Sequence, residues 1–199
     1  MPRLPVTLIV AATRSNAIGR DSSLPWRLPK EMAYFARVTK QTTTREKKNV
    51  VIMGRKSWQG IPAKFRPLTE RFNIVVGGAQ DTVLVSSFEQ ACAEISKSDT
   101  INRAFLIGGA QLYSQVMSKP SSDDYILDRI LLTRVKTDFN DCDAFLTCLD
   151  MLNDGKEWQR SSHKELQDWV GFDVPEGDQV EKDRISGRDV VYEFQMWTR

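Results

Sequence analysis

Ile18-Gly19-Arg20-Asp21-Ser22-Ser23-Leu24-Pro25-Trp26-Arg27-Leu28-Pro29-Lys30-Glu31-Met32-Ala33-Tyr34-Phe35 is the stretch around which the rest of the chain is organised. Its first half reads as irregular loop: Gly19, the Asp21-Ser22-Ser23 cluster and Pro25 all favour turns. Its second half starts a helix, because Pro29 fits a first helical position, where its missing N–H is no loss. Glu31, Tyr34, Phe35 and Val38 then fall at i, i+3, i+4 and i+7, one stripe of an α-helix. Three of these are bulky or apolar and one is a carboxylate. In a first helical turn an anion gains about 0.3–1 kcal/mol from the macrodipole, which is reason enough for many such acids. The residues before it add a second reason. Leu24-Pro25-Trp26 delivers an indole beside the acid, as a wall or lid would. A carboxylate partly withdrawn from water, its pKa raised, can hold a cationic or amidine-like ligand edge.

Outward from this stretch, short apolar runs alternate with helical patterns. Val6–Ala12 is a continuous, mostly β-branched run that suits a strand buried on both faces. After the helix comes the polar linker 41–46, and then buried-strand runs at Asn49–Met53 (stopped by Gly54) and Phe72–Val76 (stopped by Gly77-Gly78). A brief strand, Val83–Val85, leads into a helix from Ser87 to about Ser96, with Ser87 and Gln90 at capping-box spacing. Arg103–Ile107 is the next strand, stopped by Gly108-Gly109, and a helix follows over Ala110–Met117. Beyond Pro120 the texture changes. Strands are expected at Arg129–Val135, more weakly at Glu157–Glu165, and at Asp189–Trp197, separated by polar loops (138–143 and 175–188) and with no helix evident between them. The fold class is therefore α/β: a central, mainly parallel sheet flanked by helices, with an antiparallel C-terminal edge. The expected organisation is a single domain over residues 1–199, without repeats or low-complexity tracts.

Composition narrows the function classes. The 199 residues are 41 % hydrophobic and 27 % charged, with a net charge of +2. Those are globular proportions, and the interspersed charge argues against nucleic-acid binding and against a polybasic membrane anchor. No apolar run approaches the roughly 20 residues that span a bilayer. The chain enters a strand almost at once, without a signal-peptide pattern. Cys92, Cys142 and Cys148 have no metal-ligand spacing, so reduced thiols and a cytoplasmic location are expected. With His163 the single histidine, a histidine-rich metal site and a Ser/His/Asp triad are both disfavoured, and no metal is expected. Nothing suggests an interface patch, so a monomer is expected.

Glycines at strand ends carry the second chemical signal. In open α/β sheets ligands bind outside the carboxyl ends of strands, and glycines there let backbone approach a ligand. Gly54 precedes Arg55-Lys56-Ser57, Gly77-Gly78 closes the third strand, and Gly108-Gly109 opens a helix whose free N–H groups suit an anion. Each alone is an ordinary turn residue, and the three-glycine dinucleotide fingerprint is absent. Together with the Arg-Lys pair they favour a nucleotide-type ligand. Arg71, just before a buried strand, can hold a carboxylate through two parallel hydrogen bonds; read alone it is an ordinary strand-edge charge. Arg27, Lys30 and Lys64 read as surface residues.

Several blocks in order resemble the dihydrofolate reductase family: Ile18-Gly19 with Leu24-Pro25-Trp26, Glu31 and Phe35; Val51-Ile52-Met53-Gly54-Arg55-Lys56-Ser57-Trp58; Ile61-Pro62; Arg66-Pro67-Leu68 with Arg71; and Ile107-Gly108-Gly109 with Tyr113. They run from about Val6 to Phe145 and resemble eukaryotic, fungal-type members. The resemblance implies NADPH-dependent reduction of 7,8-dihydrofolate to tetrahydrofolate, hydride passing from nicotinamide C4 to pterin C6 and water delivering the proton to N5. It implies that Glu31 binds the pterin's 2-amino group and N3, oriented by Thr133 and roofed by Trp26. Ile9, Val10, Ala11, Leu24, Met32, Phe35, Ile61, Phe65, Leu68, Ile107 and Tyr113 would line the substrate site, with Arg71 on the glutamate tail. The cofactor would meet Ala11, Ile18, Gly19, Gly54, Arg55, Lys56, Ser57, Gly77, Gly108, Gly109, Ala110, Gln111, Leu112 and Tyr113, with the Gly-Gly bond cis. The loop from Thr13 to Ser23 would act as a lid, and antifolate inhibitors would bind.

Three departures from the family pattern stand out. Ser57 replaces a usual threonine, and Met32 a larger apolar side chain. Gly77-Gly78 and Ser86 stand where relatives carry polar or basic residues for the adenosine 2′-phosphate, which leaves that phosphate mainly to Arg55. Two alternatives remain on the sequence alone: a reductase of the same fold acting on a pyrimidine, and a non-catalytic nucleotide-binding module.

Overall fold

The computed structural model describes residues 3–77 and 83–199; Gly78 lies outside them. In chain order the elements are β1 (Leu4–Thr13), β2 (Ala17–Gly19), α1 (Pro29–Lys40), β3 (Lys48–Gly54), α2 (Arg55–Gly60), β4 (Arg71–Val76), β5 (Val83–Val85), α3 (Phe88–Ser96), β6 (Ile101–Gly108), α4 (Ala110–Ser118), β7 (Tyr125–Val135), β8 (Ala144–Phe145), β9 (Gln159–Arg160), α5 (His163–Val170), β10 (Gln179–Lys182) and β11 (Asp189–Thr198). Short 3-10 segments occupy Ala63–Phe65 and Thr147–Asn153. The hydrogen-bonded strand order is β10-β11-β7-β1-β6-β3-β4-β5, with β9 also on β11 and β2 paired separately with β8. This is the α/β sheet expected, mainly parallel with an antiparallel C-terminal edge.

The chain divides into two compact units. The first, Met1–Leu8 with Thr39–Asp128, carries the parallel ladders β1·β6, β6·β3, β3·β4 and β4·β5. Val50, Val51, Ile52, Met53, Phe105 and Leu106 are all buried completely. Runs of this kind, without polar alternation, form where a parallel sheet is covered on both faces. The second unit, Ile9–Val38 with Arg129–Arg199, holds the antiparallel pairs. β11 runs against β7 from Tyr192↔Val135 to Thr198↔Arg129, setting Phe194 opposite Thr133. β10 adds on its other side, with Glu181 opposite Val190.

Helix α1 starts and ends as its sequence implies, and its stripe is real: Glu31, Tyr34 and Val38 are buried and Phe35 is half-buried. Helix α3 starts after Ser87, whose hydroxyl accepts from the Gln90 N–H at 3.1 Å. The reciprocal half of the box is not made there, because the Gln90 amide oxygen accepts instead from the N–H and hydroxyl of Ser86.

Three expectations are corrected. The region Glu157–Glu165 forms only the two-residue strand β9, then helix α5, so the C-terminal strands do have a helix among them. A full capping box between Ser162 and Glu165 and the left-handed Gly171 after Val170 define α5, and local chemistry of that strength outweighs weak alternation. Ile18 and Gly19, read as irregular, belong to β2, whose partner Ala144–Phe145 is far along the chain. Finally, the polar loop 175–188 contains the edge strand β10.

Candidate active site

Helix α1 points its first buried position inward, and that position is Glu31, only 6 % exposed. The Thr133 hydroxyl, on β7, donates to Glu31 Oε1 at 3.0 Å. Burial pushes the Glu31 carboxyl up from 4.5 to about 7; the Thr133 hydrogen bond opposes the rise and the Glu181 carboxylate adds to it. An acid so placed exchanges a proton near neutrality and, when ionised, attracts a ligand edge that donates two hydrogen bonds. Trp26 is buried, its ring 5.1 Å from that of Phe139, and its indole N–H is buried without a hydrogen-bond partner among the described residues.

The same unit carries Ile9 and Val10, buried on β1, half-buried Ala11, and Phe35 on the acid's stripe. Leu24 and Met32 are exposed, at 42 % and 44 %. Met32 follows Glu31 and so lies off the buried stripe. Ile18 and Gly19 sit in β2. The segment from Thr13 to Arg20 is held by residues far along the chain. Asn16 donates to Asp150 at 2.7 Å, Arg134 donates to the Thr13 carbonyl and the Asn16 side chain, and Arg20 pairs with Asp141.

The other unit carries the glycine turns. Gly54 and Gly109 are the residues immediately before α2 and α4, and neither helix has a side-chain cap. Helix N-termini left this way present unpaired backbone N–H groups to an anion. The Gly108-Gly109 peptide is cis, and Gly108 has φ +137°. A Cβ on either glycine would lie 2.9 Å from Ser57 Oγ, so only bare backbone fits against that hydroxyl. Arg55 and Lys56 are exposed, Ser57 half-buried, and Gly77 has φ +85°. In α4 Ala110 is half-buried, Gln111 exposed, and Leu112 and Tyr113 buried. A backbone-lined turn, two uncapped helix starts and an Arg-Lys pair suit a pyrophosphate-bearing dinucleotide.

Arg71, at the start of β4, is half-buried and held in place. Its Nε donates to the Thr69 carbonyl at 3.0 Å and its Nη1 to the Thr39 hydroxyl at 2.7 Å. Burial lowers its pKa, and Glu70 works against that. Ile61, Leu68 and Ile107 are half-buried on this unit, and Phe65 is 53 % exposed. Among the described residues no cluster of His, Cys, Asp and Glu could hold a metal. Cys92, Cys142 and Cys148 are free thiols. No helix among the described residues is long and apolar enough to cross a membrane.

A family model, Dihydrofolate reductase, matches residues 5–171. This chain belongs to the dihydrofolate reductase family. A dihydrofolate reductase of Cryptococcus neoformans is 40 % identical, over 96 % of this chain and 93 % of its own. One from Pneumocystis carinii is 41 % identical, over 98 % and 96 %. These relatives agree with a fungal-type member. Among solved structures, Schistosoma mansoni dihydrofolate reductase superposes with a TM-score of 0.71 at 24 % identity, covering 99 % of both chains, a likeness of fold.

Two expectations drawn from the family motif are visible in the geometry: the cis Gly108-Gly109 bond and the Thr133–Glu31 hydrogen bond. Sequence reading missed the residues that hold this machinery. Thr39 steadies Arg71; Asn16, Arg134 and Asp150 tie down the segment after β1; Glu181 and Asp183 bond to the backbone of Arg27–Lys30.

Proposed function

We propose that the chain works as one catalytic domain that reduces 7,8-dihydrofolate to 5,6,7,8-tetrahydrofolate with NADPH. The observation that carries the reading is Glu31: a buried acid hydrogen-bonded to Thr133, in a chain of this family. Ionised Glu31 accepts hydrogen bonds from the 2-amino group and N3 of the pterin, and Thr133 holds its orientation. Ile9, Val10, Ala11, Leu24, Met32, Phe35, Ile61, Phe65, Leu68, Ile107 and Tyr113 surround the pterin and benzoyl rings. Arg71, already oriented by Thr69 and Thr39, takes the α-carboxylate of the glutamate tail.

The bare backbone at Gly108-Gly109 and the helix starts at Gly54 and Gly109 fit the cofactor, with Arg55, Lys56 and Ser57 on its phosphates and Ile18, Gly19, Gly77, Ala110, Gln111 and Leu112 beside it. When bound, NADPH supplies the hydride. The protein contributes position and a water-poor surrounding. Glu31 is bonded to the far edge of the ring, so water brings the proton to N5 while the carboxylate raises the ring's basicity. Because the reactive complex holds one proton shared between acid and substrate, kcat/KM falls as pH rises past the Glu31 pKa.

The test is the absorbance decrease of NADPH on adding dihydrofolate. Glu31→Gln is expected to lower turnover by about 10²–10⁴-fold at neutral pH, and near-normal turnover would remove Glu31 from the mechanism. The same assay with NADH measures what the adenosine 2′-phosphate contributes, a recognition that rests mainly on Arg55. A clear preference for NADPH is expected, and equal kcat/KM for the two cofactors would overturn that choice. The expected setting is the cytoplasm, as a monomer.

A further inference from the structure

Helix α1 starts at Pro29. Leu28, just before it, has no side-chain acceptor, and Pro29 has no N–H to satisfy. The Lys30 N–H is instead taken by Glu181 Oε1 of β10, 151 residues away, at 2.8 Å. Glu181 is itself held by the Tyr192 hydroxyl, which donates to Oε2 at 3.1 Å. Three residues earlier than Lys30, the Arg27 N–H is taken by Asp183 Oδ1 at 2.7 Å, and the Arg27 carbonyl accepts from the Arg184 N–H at 3.1 Å. Asp183 is completely buried and also accepts from the N–H groups of Ile185 and Ser186 and from the Ser186 hydroxyl. The short backbone run that carries Trp26 and Glu31 is therefore gripped at two points by β10 and the turn after it.

We propose that β10 and its following turn form a clasp on the Trp26–Glu31 segment, in which Glu181 is a positioning residue for the Glu31 carboxylate. The proposal rests on the reading of Glu31 as the acid of a dihydrofolate-reducing site. Glu181 has two separable actions. As an acceptor it fixes the first turn of α1, and with it the side chain of the next residue. As a charge, held one residue from Glu31 by the Lys30 N–H, it disfavours ionisation of the Glu31 carboxyl. The other groups facing Glu31 are the Thr133 hydroxyl from β7, Tyr34 from α1 and Tyr192 from β11. Burial holds both phenols well above the ordinary tyrosine value, so they stay neutral. Among the described residues Glu181 is thus the charged neighbour that acts on Glu31, and its carboxylate adds to the rise that burial gives that acid.

Glu181→Gln keeps an acceptor and removes the charge; Glu181→Ala removes both. The decisive measurement is the carboxyl titration of Glu31 by ¹³C NMR in the ligand-free chain, assigned by its loss in Glu31→Gln, alongside the pH profile of kcat/KM for dihydrofolate. Glu181→Gln is expected to lower the Glu31 midpoint by about 0.5–1 unit, as for a unit charge several ångströms away in a screened site. The alkaline limb of kcat/KM should move down with it, while kcat at its optimum stays within about 3-fold of the parent. Glu181→Ala is expected to lower kcat by about 10-fold, and the glutamine variant to restore most of that loss. A Glu31 midpoint unchanged in Glu181→Gln overturns the electrostatic part, and equal kinetics for both variants and the parent overturn the clasp. A midpoint that shifts in a parent chain with no dihydrofolate-dependent oxidation of NADPH would uphold the coupling and refute the assigned reaction.

Discussion

At the scale of one residue, Glu31 is a group the fold holds against its preference for water. Its pKa in the folded chain is raised from 4.5 to about 7, chiefly by burial. The folded state therefore binds the extra proton between those values. The associated stability is fully present below about pH 4.5 and is lost as pH rises through about 7. Glu31→Gln has no charge to bury. Its melting temperature should exceed that of the parent above pH 7, by an amount worth roughly 3 kcal/mol, with the gap closing towards pH 4.5. Thermal unfolding of the two ligand-free proteins across this range is the check, and a constant gap would mean that Glu31 is already ionised without penalty. The carboxylate on an apolar stripe was visible in the sequence, since helical periodicity alone puts it there. Its proton affinity was not, because desolvation is set by what surrounds the helix.

At the scale of elements, the helices divide by where their ends find partners. Helix α5 is closed by its own neighbours, Ser162, Glu165 and Gly171, so its signal lies within a few residues, although the weak alternation over Glu157–Glu165 leads to a strand being expected there. Helix α1 borrows its N-terminal acceptor from β10, which no local reading can supply. The turn at Asp183 is the corresponding point of vulnerability. Asp183→Ala leaves the Arg27, Ile185 and Ser186 N–H groups unpaired around a fully buried position. A loss of about 2–4 kcal/mol is expected in urea unfolding, since each stranded donor loses its partner without regaining water. A loss within about 0.5 kcal/mol would indicate that the turn relaxes and readmits solvent.

At the scale of the molecule, stability is bounded on the acid side by other carboxyls. Burial alone would raise Asp183 and Glu193, but hydrogen bonds outweigh it. The Ser186 hydroxyl and the Arg27, Ser186 and Ile185 N–H groups hold Asp183 below 3.8, while Gln195, Arg160 and Lys136 hold Glu193 below 4.5. Groups with lowered pKa contribute stability that is present above their unfolded values and lost as pH falls through the folded ones. Combined with Glu31, this puts the highest melting temperature of the ligand-free chain near pH 4.5, falling at more acid pH and falling again as pH rises from there towards about 7. A melting temperature that climbs steadily from about pH 4 to pH 9 would contradict this, because it would leave Glu31 without a burial penalty.

The sequence by itself determined the alternation of buried strands with helices, the register of α1 and the chemistry of its stripe, the glycine stops at Gly54 and Gly108-Gly109, and through the ordered motifs the family. These follow from periodicities and turn preferences that act over a few residues. Only the tertiary structure decided that β2 forms at all, that the polar run 175–188 contains a strand, and that Glu181, Asp183, Thr39 and Arg134 hold the residues expected to act. Each of those interactions joins positions more than thirty residues apart. A hydrogen bond of that kind leaves no pattern along the chain, because neither partner's neighbours need to announce it.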